Sequence, residues 1–299
     1  AASDVYKRQQ LDAPNDEDED NEPFGLHGLT GYQLKQQVLV AAQPEAVLQR
    51  LKYQGELAMA AGGQVQQANM LELQQRVRAQ CQSWQQDSDV DLPLQAYTLQ
   101  AHGAQVSLNW GGEPLRWRLH ADGTALQLEM RASNVKQDKR IRLHTLPSLW
   151  LGHLTANAAG TVTTSVLSGA DGTVCLLPLA QQQAQALLQD LVSLYQQAWA
   201  TPLPLPLKTA CAYLTACAQA AQSQSPQFQE QRGHAAARLA FSGRRDAPGE
   251  CQTSPYVQRA FANFDDMQWD RFTALAHQLY GPMLKACAAE AITDEQETA

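Results

Sequence analysis

From Gly28 to about Trp84 apolar residues recur at helical spacing. Leu34, Val38 and Leu39 form one stripe. Val47, Leu48 and Leu51 form a second behind Pro44, a residue tolerated in a first helical turn, where the N–H it lacks would have no helical partner. Gly55 stops that helix, and a third, glutamine-rich one is predicted from about Gln64 to Trp84. The period then changes to alternation and tight turns. Leu92–Gln100, Ala104–Trp110, Leu115–His120, Ala125–Arg131 and Arg140–Leu146 read as strands of an antiparallel meander. His102-Gly103, Gly111-Gly112 and Ala121-Asp122-Gly123 are the turns between the earlier ones. Pro147 opens a helix to Ala159, stopped by Gly160, and Thr161–Ser168 and Thr173–Leu179 are two more strands around Gly169–Gly172. From Gln181 to Trp199 an amphipathic helix carries Leu187, Leu188, Leu191, Leu194, Tyr195 and Ala198 on one side. Alternate prolines force Thr201–Leu207 into an extended path. Helices fill the rest: Lys208–Ala221, His234–Phe241, Pro255–Phe264 and Gln268–Ala288, the last kinked near Gly281-Pro282. The order predicts an α+β fold, one domain of about 260 residues with a helical appendage.

Composition sharpens the boundaries. The chain has 299 residues, 44% hydrophobic, enough for a substantial core, and a formal charge of −8. Residues 1–10 carry a net +1, residues 11–22 hold seven carboxylates and no base, and 289–299 hold four more, which leaves 23–288 at +2. The opening AASDVYKRQ resembles a translated sequencing-adapter scar, so residues 1–22 are expected to be scar plus disordered acidic linker. The folded domain is placed at 23–288 and a disordered acidic tail at 289–299. No apolar run reaches the roughly 18–20 residues that cross a bilayer, which excludes an integral membrane protein and leaves no membrane partner. Six cysteines without a CxxC pair fit thiols in a reducing cytoplasm rather than a disulfide scaffold or a zinc site.

Motif chemistry is sparse. GxxxxGKS/T, a GxGxxG after a strand, HExxH and GxSxG are all missing. His153 reads as a packed histidine rather than a ligand. A metal-dependent nuclease with this element order needs an Asp on one central strand and an Asp/Glu-x-Lys on the next, because paired carboxylates must hold the ion that activates water. The segment Arg140–Leu146 has no carboxylate, and Glu129-Met130-Arg131 is the nearest approximation, with Glu113 and Asp122 at turns. No catalytic residue, metal ligand or cofactor is therefore assigned. What remains is cationic and aromatic: Trp110, Arg116, Arg118, Arg131, Lys136, Lys139, Arg140 and Arg142, around Trp117. Cations and aromatics interleaved on strands can meet phosphates and stack bases. The competing reading makes Trp117 core and the arginines its solvated flanks.

Several short stretches together resemble one family. Glu22-Pro23-Phe24-Gly25-Leu26, Gly28-Leu29 and Tyr32-Gln33-Leu34 with Gln36-Gln37 are similar to the start of the RecC C-terminal domain. Leu149–Leu154, Gly172–Ala180, Pro202–Leu207, Ala235–Gly243 and Leu279–Leu284 continue the resemblance in order, across about 22–288. RecC is the gamma subunit of exodeoxyribonuclease V, the bacterial helicase–nuclease that processes broken DNA ends. The resemblance implies a PD-(D/E)xK nuclease-like fold that has lost its catalytic acids, in agreement with the carboxylates missing above. It implies scaffolding of the RecB and RecD motor subunits, which use Mg and ATP, and contact with double-stranded DNA ends and unwound single strands during recombinational repair. Chi scanning belongs to upstream domains outside this chain. The segment 104–146 is longer and more basic than the family pattern. Two alternatives stay open: a residual metal-dependent nuclease using Glu129, and an interaction domain without DNA contact.

Overall fold

Where apolar residues keep the 3.6 period, helices form. In the computed structural model, which describes residue 26 and residues 28–101, 103–137, 140–221, 225–245 and 247–287, α1 is Gly28–Val40, α2 Pro44–Tyr53 and α3 Ala60–Gln82. The expectations for 1–22 and 289–299, and candidate Lys139, lie outside the described residues. The chain divides into two units, Ala1–Arg76 and Val77–Ala299, with the division falling inside α3. In the first, Leu34 and Val38 pack with Leu48, Leu51, Leu57 and Met70. Pro44 stands in the first turn of α2, and Gly55, at φ +76°, ends it.

The second unit holds a mixed sheet flanked by helices. Its strands are β1 Val90–Asp91, β2 Gln95–Ala101, β3 Ala104–Trp110, β4 Trp117–Leu119, β5 Ala125–Met130, β6 Lys136–Gln137, β7 Arg140–Ile141, β8 Thr163–Gly169 and β9 Gly172–Leu176. Five of them form one sheet in the order β1-β4-β5-β8-β9, antiparallel except for the parallel pair β5–β8. A parallel pair needs a crossover, and helix α4, Pro147–Ala158, supplies it. Ala125, Leu126, Gln127 and Leu128 are all buried, because both faces of β5 are covered. Leu126, Leu128, Val166 and Cys175 meet Cys81 and Trp84 on one side; Leu149, Trp150, Leu154, Leu167 and Leu176 join the main core.

The expected single meander is corrected in two places. β2 and β3 pair with each other, from Gln95↔Trp110 to Ala101↔Ala104, as a ribbon separate from the five-stranded sheet. Gly111 and Gly112, both at φ +76°, and Leu115 at φ +71° turn the chain out of that ribbon before β4. A Cβ on Gly111 would stand 2.4 Å from the Pro93 carbonyl oxygen, so the turn requires glycine. Nor is Arg140–Leu146 one strand. Arg140–Ile141 pairs with Lys136–Gln137, and Leu143–Thr145 is a 3-10 turn. Leu143 and Leu146, three apart, are both buried, which is the spacing of that turn and not of a strand. Asp171 fixes the approach by accepting the Val135 and Lys136 N–H groups at 2.7 and 3.0 Å.

Helices complete the unit: α5 Gln181–Ala200, α6 Leu207–Ala220, α7 Pro226–Ser242, α8 Glu250–Thr253, α9 Pro255–Ala260, α10 Trp269–Leu279 and α11 Gly281–Ala286. α7 starts at Pro226, earlier than expected, with proline in its first turn. It packs closely on α6: a Cβ on Gly233 would meet Cys217 Sγ at 2.4 Å and the Tyr213 ring at 2.7 Å. On α5 the buried stripe is Ala184, Leu188, Val192 and Leu194, while Tyr195 faces solvent, contrary to its expected place on the buried side. The break near Gly281-Pro282 separates α10 from α11. Among the described residues no helix is long and apolar enough to cross a membrane.

Candidate nucleic-acid interface

Glu129, the acid of the acid–x–base pair at the end of β5, is tied up by arginines. Arg131 Nε and Nη2 approach Glu129 Oε1 at 2.9 and 2.8 Å, and Arg116 Nη2 reaches Oε2 at 3.5 Å. Ser148, in the first turn of α4, donates to the same carboxylate at 3.3–3.4 Å and accepts from Arg131 Nη2 at 3.2 Å. Arg116 Nη1 also holds Glu113, at 3.2 Å. Two guanidinium groups therefore offset the charge of Glu129. Among the described residues no group of three or more His, Cys, Asp or Glu is placed to hold a metal ion.

A second cluster closes the β1–β4 edge. Arg118 bonds the Asp91 carboxylate and donates to the Asp89 carbonyl oxygen at 2.6 Å. The Asp89 side chain is fully buried; it accepts the Gln86 N–H at 2.9 Å and meets His120 Nδ1 at 2.5 Å. Burial alone would raise the Asp89 carboxyl, but the Gln86 N–H, the His120 ring and Arg118 outweigh it and hold it below the ordinary carboxylate range. A lowered carboxyl adds stability that is present above its unfolded pKa and lost as pH falls through the folded one. On acidification from about pH 5 to about pH 3 the melting temperature of the wild type should therefore fall further than that of Asp89→Asn. Parallel curves would show that these bonds contribute nothing.

Three other cations gather elsewhere. A cleft of about 500 Å³ runs between the β7–Thr145 segment and helices α6 and α7. Arg140, Arg142 and Lys208 line it, and Ala212, Ala216, Ala236 and Ala240 leave its floor small and apolar. None of these three cations makes an ion pair among the described residues, and Arg142 Nε is buried without a partner. Burial, then the charges of Lys208 and Arg142, holds His144 below its ordinary value against the pull of Glu250. The positive charge of the cleft thus rests on Arg140, Arg142 and Lys208.

The structure therefore divides the candidates. Arg116, Arg118 and Arg131 are held by carboxylates. Trp110 is 6% exposed and packs edge-on to the buried Trp117 at 5.5 Å, so its ring offers no outer stacking face. Lys136 lies over Gly172, apart from the cleft lining. Arg140 and Arg142 come together, and the cleft adds His144 and Lys208 to them. The proline run before α6 was the one local signal for where Lys208 would stand. His153 is fully buried, its Nδ1 2.9 Å from Ser165 Oγ, and burial, partly offset by a bond to the Leu177 backbone, pushes it down to about 4.

Residues 7–218 match the family described as the RecC C-terminal domain. The chain is also similar to a curated protein of Escherichia coli (strain K12) named RecBCD enzyme subunit RecC, at 29% identity over 207 residues. That alignment covers 66% of this chain and 16% of the relative, so the match spans a minor part of the relative's length.

Proposed function

We propose, from the premise that this chain belongs to the RecC C-terminal domain family, that it is a non-catalytic, DNA-handling part of a RecBCD-type helicase–nuclease. The observation that carries the reading is a contrast of charge. Glu129, the one acid in a nuclease-like position on the central strands, is bonded by Arg116, Arg131 and Ser148, while Arg140, Arg142 and Lys208 face an open cleft. The mixed sheet with its α4 crossover supports a PD-(D/E)xK-like ancestry. A divalent ion needs paired carboxylates, and these residues do not fit one. Mg and ATP would accordingly serve the partner subunits, RecB and RecD, in a cytoplasmic assembly acting in DNA repair and recombination. Unpaired cations beside a shallow apolar floor suit the phosphates of a DNA end or an unwound strand. Tyr195 and Trp199, exposed side by side on α5, offer a surface for a sister subunit.

The test is binding of a forked duplex by the 299-residue chain across a salt series. Arg140→Ala with Arg142→Ala is expected to weaken binding about tenfold at moderate salt and to reduce the salt slope by about two phosphate contacts. A double variant that binds with the wild-type slope would remove the cleft from the reading and favour an interaction domain without DNA contact. In Mg buffer the chain is expected to leave the duplex uncut. Cleavage abolished by Glu129→Gln would overturn the non-catalytic assignment.

A further inference from the structure

Two exposed arginines stand next to the basic cleft without lining it. Helix α7 is capped by Gly243, whose N–H bonds the Leu239 carbonyl, and a hairpin follows, β10 Gly243–Arg244 with β11 Ala247–Pro248. Arg244 pairs with Ala247, and Arg245 stands in the turn. Both side chains are exposed, and neither makes an ion pair or a hydrogen bond among the described residues.

The base of this hairpin is closed by glycine. Gly243 sits at φ +79°, and a Cβ there would stand 2.3 Å from the Gly249 nitrogen. A Cβ on Gly249 would stand 2.2 Å from the Phe241 carbonyl oxygen. Only glycine fits at either place, so the two arginines are carried on a short loop with a fixed base.

That base adjoins the cleft on both sides. Leu239 and Ala240, just before the hairpin, line the cleft. Glu250, just after it, accepts the N–H groups of Lys208 and Thr209 at 3.1 and 2.8 Å. The hairpin therefore stands at the end of the cleft from which Lys208 projects. From Ala240 to Arg244 the chain spans at most about 14 Å, comparable with a Debye length of about 8–10 Å, so the field of Arg244 overlaps that of the cleft.

The cleft itself indicates what such a row of cations would hold. Its described lining contains no Trp, Tyr or Phe, so bases find no such ring to stack on. Along α6, Lys208, Ala212, Thr215 and Gln219 follow one helical face of about 16 Å. Cations spread over a strand pair, a helix and a hairpin do not converge on one small anion. They suit a polymer whose charge repeats, and contacts to phosphate carry no sequence information.

We infer that the Gly243–Pro248 hairpin is a second phosphate-contacting element, in which Arg244 and Arg245 continue the row of Arg140, Arg142 and Lys208 along one DNA backbone. The inference rests on the reading of the chain as a DNA-handling domain and extends its contact surface beyond the cleft.

The experiment measures binding of a forked duplex by the 299-residue chain across a salt series. Arg244→Ala with Arg245→Ala is expected to bind about tenfold more weakly at roughly 0.1 M salt, with the salt slope reduced by about 1.4–1.8. Changing both to Lys keeps the charges and should keep the wild-type slope. Combined with Arg140→Ala and Arg142→Ala, the alanine pair should reduce the slope again by a similar amount, as separate contacts do. A blunt duplex and its separated strand, run alongside, tell which backbone the row holds, since the slope change follows the DNA that binds. Both side chains are exposed, so the alanine pair should melt within about 2 °C of the wild type. A larger fall in melting with an unchanged slope would assign the arginines to the end of α7 and overturn the inference. An unchanged slope in a chain whose binding still depends on Arg140 and Arg142 refutes the hairpin alone. A wild-type chain that binds none of the three DNAs refutes the DNA-handling reading, and the role of the hairpin with it.

Discussion

Phe272→Ala is expected to destabilise the second unit by about 3–5 kcal/mol, lowering its melting temperature by roughly 10 °C. Phe272 on α10 is fully buried. Its ring stacks on Trp269 at 5.2 Å and meets Tyr213 of α6 edge-on at 5.7 Å. Tyr213 also touches Trp269 at 5.4 Å and donates its hydroxyl to Glu230 of α7 at 3.0 Å. Trp269 Nε1 donates to the other oxygen of Glu230 at 2.8 Å. Deleting the Phe272 ring thus removes dispersion contacts from two rings whose polar ends are anchored on a third helix. Neither ring can slide into the space without giving up a hydrogen bond, so the cavity stays open and the cost falls at the upper end of the usual range. Phe272→Leu refills most of the volume and should cost about 1 kcal/mol. Chemical unfolding followed by tryptophan fluorescence checks both. Equal losses for Ala and Leu would mean that the site collapses freely and the anchoring argument is wrong.

The same helices show what a sequence can and cannot reveal. The stripes Leu34/Val38 and Leu48/Leu51 and the proline-led starts at Pro44 and Pro147 were legible because helical period and first-turn chemistry are local properties. The ribbon β2–β3 was legible as two strands but not as a separate sheet, since alternation gives the phase of a strand and not its neighbour. Arg140–Leu146 misled for a related reason. Ile141, Leu143 and Leu146 satisfy a two-residue alternation in part and a three-residue turn in part, and only the burial of Leu143 and Leu146 decides between them. The candidate site was half visible. Arg118 looks as free as Arg142 in the sequence, because its partner Asp91 lies 27 residues away and meets it only through the β1–β4 pairing. Lys208 joins Arg140 and Arg142 by helix packing, for which no spacing rule exists. Trp110 looked like an exposed stacking platform, yet the same alternation also fits a strand whose other face is covered, and here that face meets Trp117.

Glu250→Ala is expected to cost about 3 kcal/mol and to loosen the basic cleft along with the fold. Helix α6 starts behind the run Thr201–Leu207, and the residue at its N-cap is Pro206, which has no side-chain acceptor for the first-turn N–H groups. The Glu250 carboxylate, buried at the start of α8, takes that place. Oε1 accepts the Lys208 N–H at 3.1 Å, and Oε2 accepts the Thr209 N–H at 2.8 Å and the Thr209 hydroxyl at 2.9 Å. These N–H groups occupy the second and third helical positions, the pair a local cap would bond, and a carboxylate there is also favoured by the helix dipole. Alanine would leave the buried Thr209 N–H without a partner, and losing bonds to a charged acceptor costs more than losing neutral ones. Glu250→Gln keeps one acceptor oxygen and loses the charge, so its cost should be about half as large. Calorimetry should show the order wild type, Gln, Ala, with the alanine variant melting about 6–12 °C lower. Hydrogen exchange at Lys208 and Thr209 should speed up in the same order. Since Lys208 projects from this turn into the cleft, the alanine variant should also bind forked duplex more weakly than its residual stability at the assay temperature explains. If Gln and Ala behave alike, or the two amides keep their protection, the carboxylate is not the cap of α6, and the position of Lys208 must be set by the packing of α6 on α7 instead.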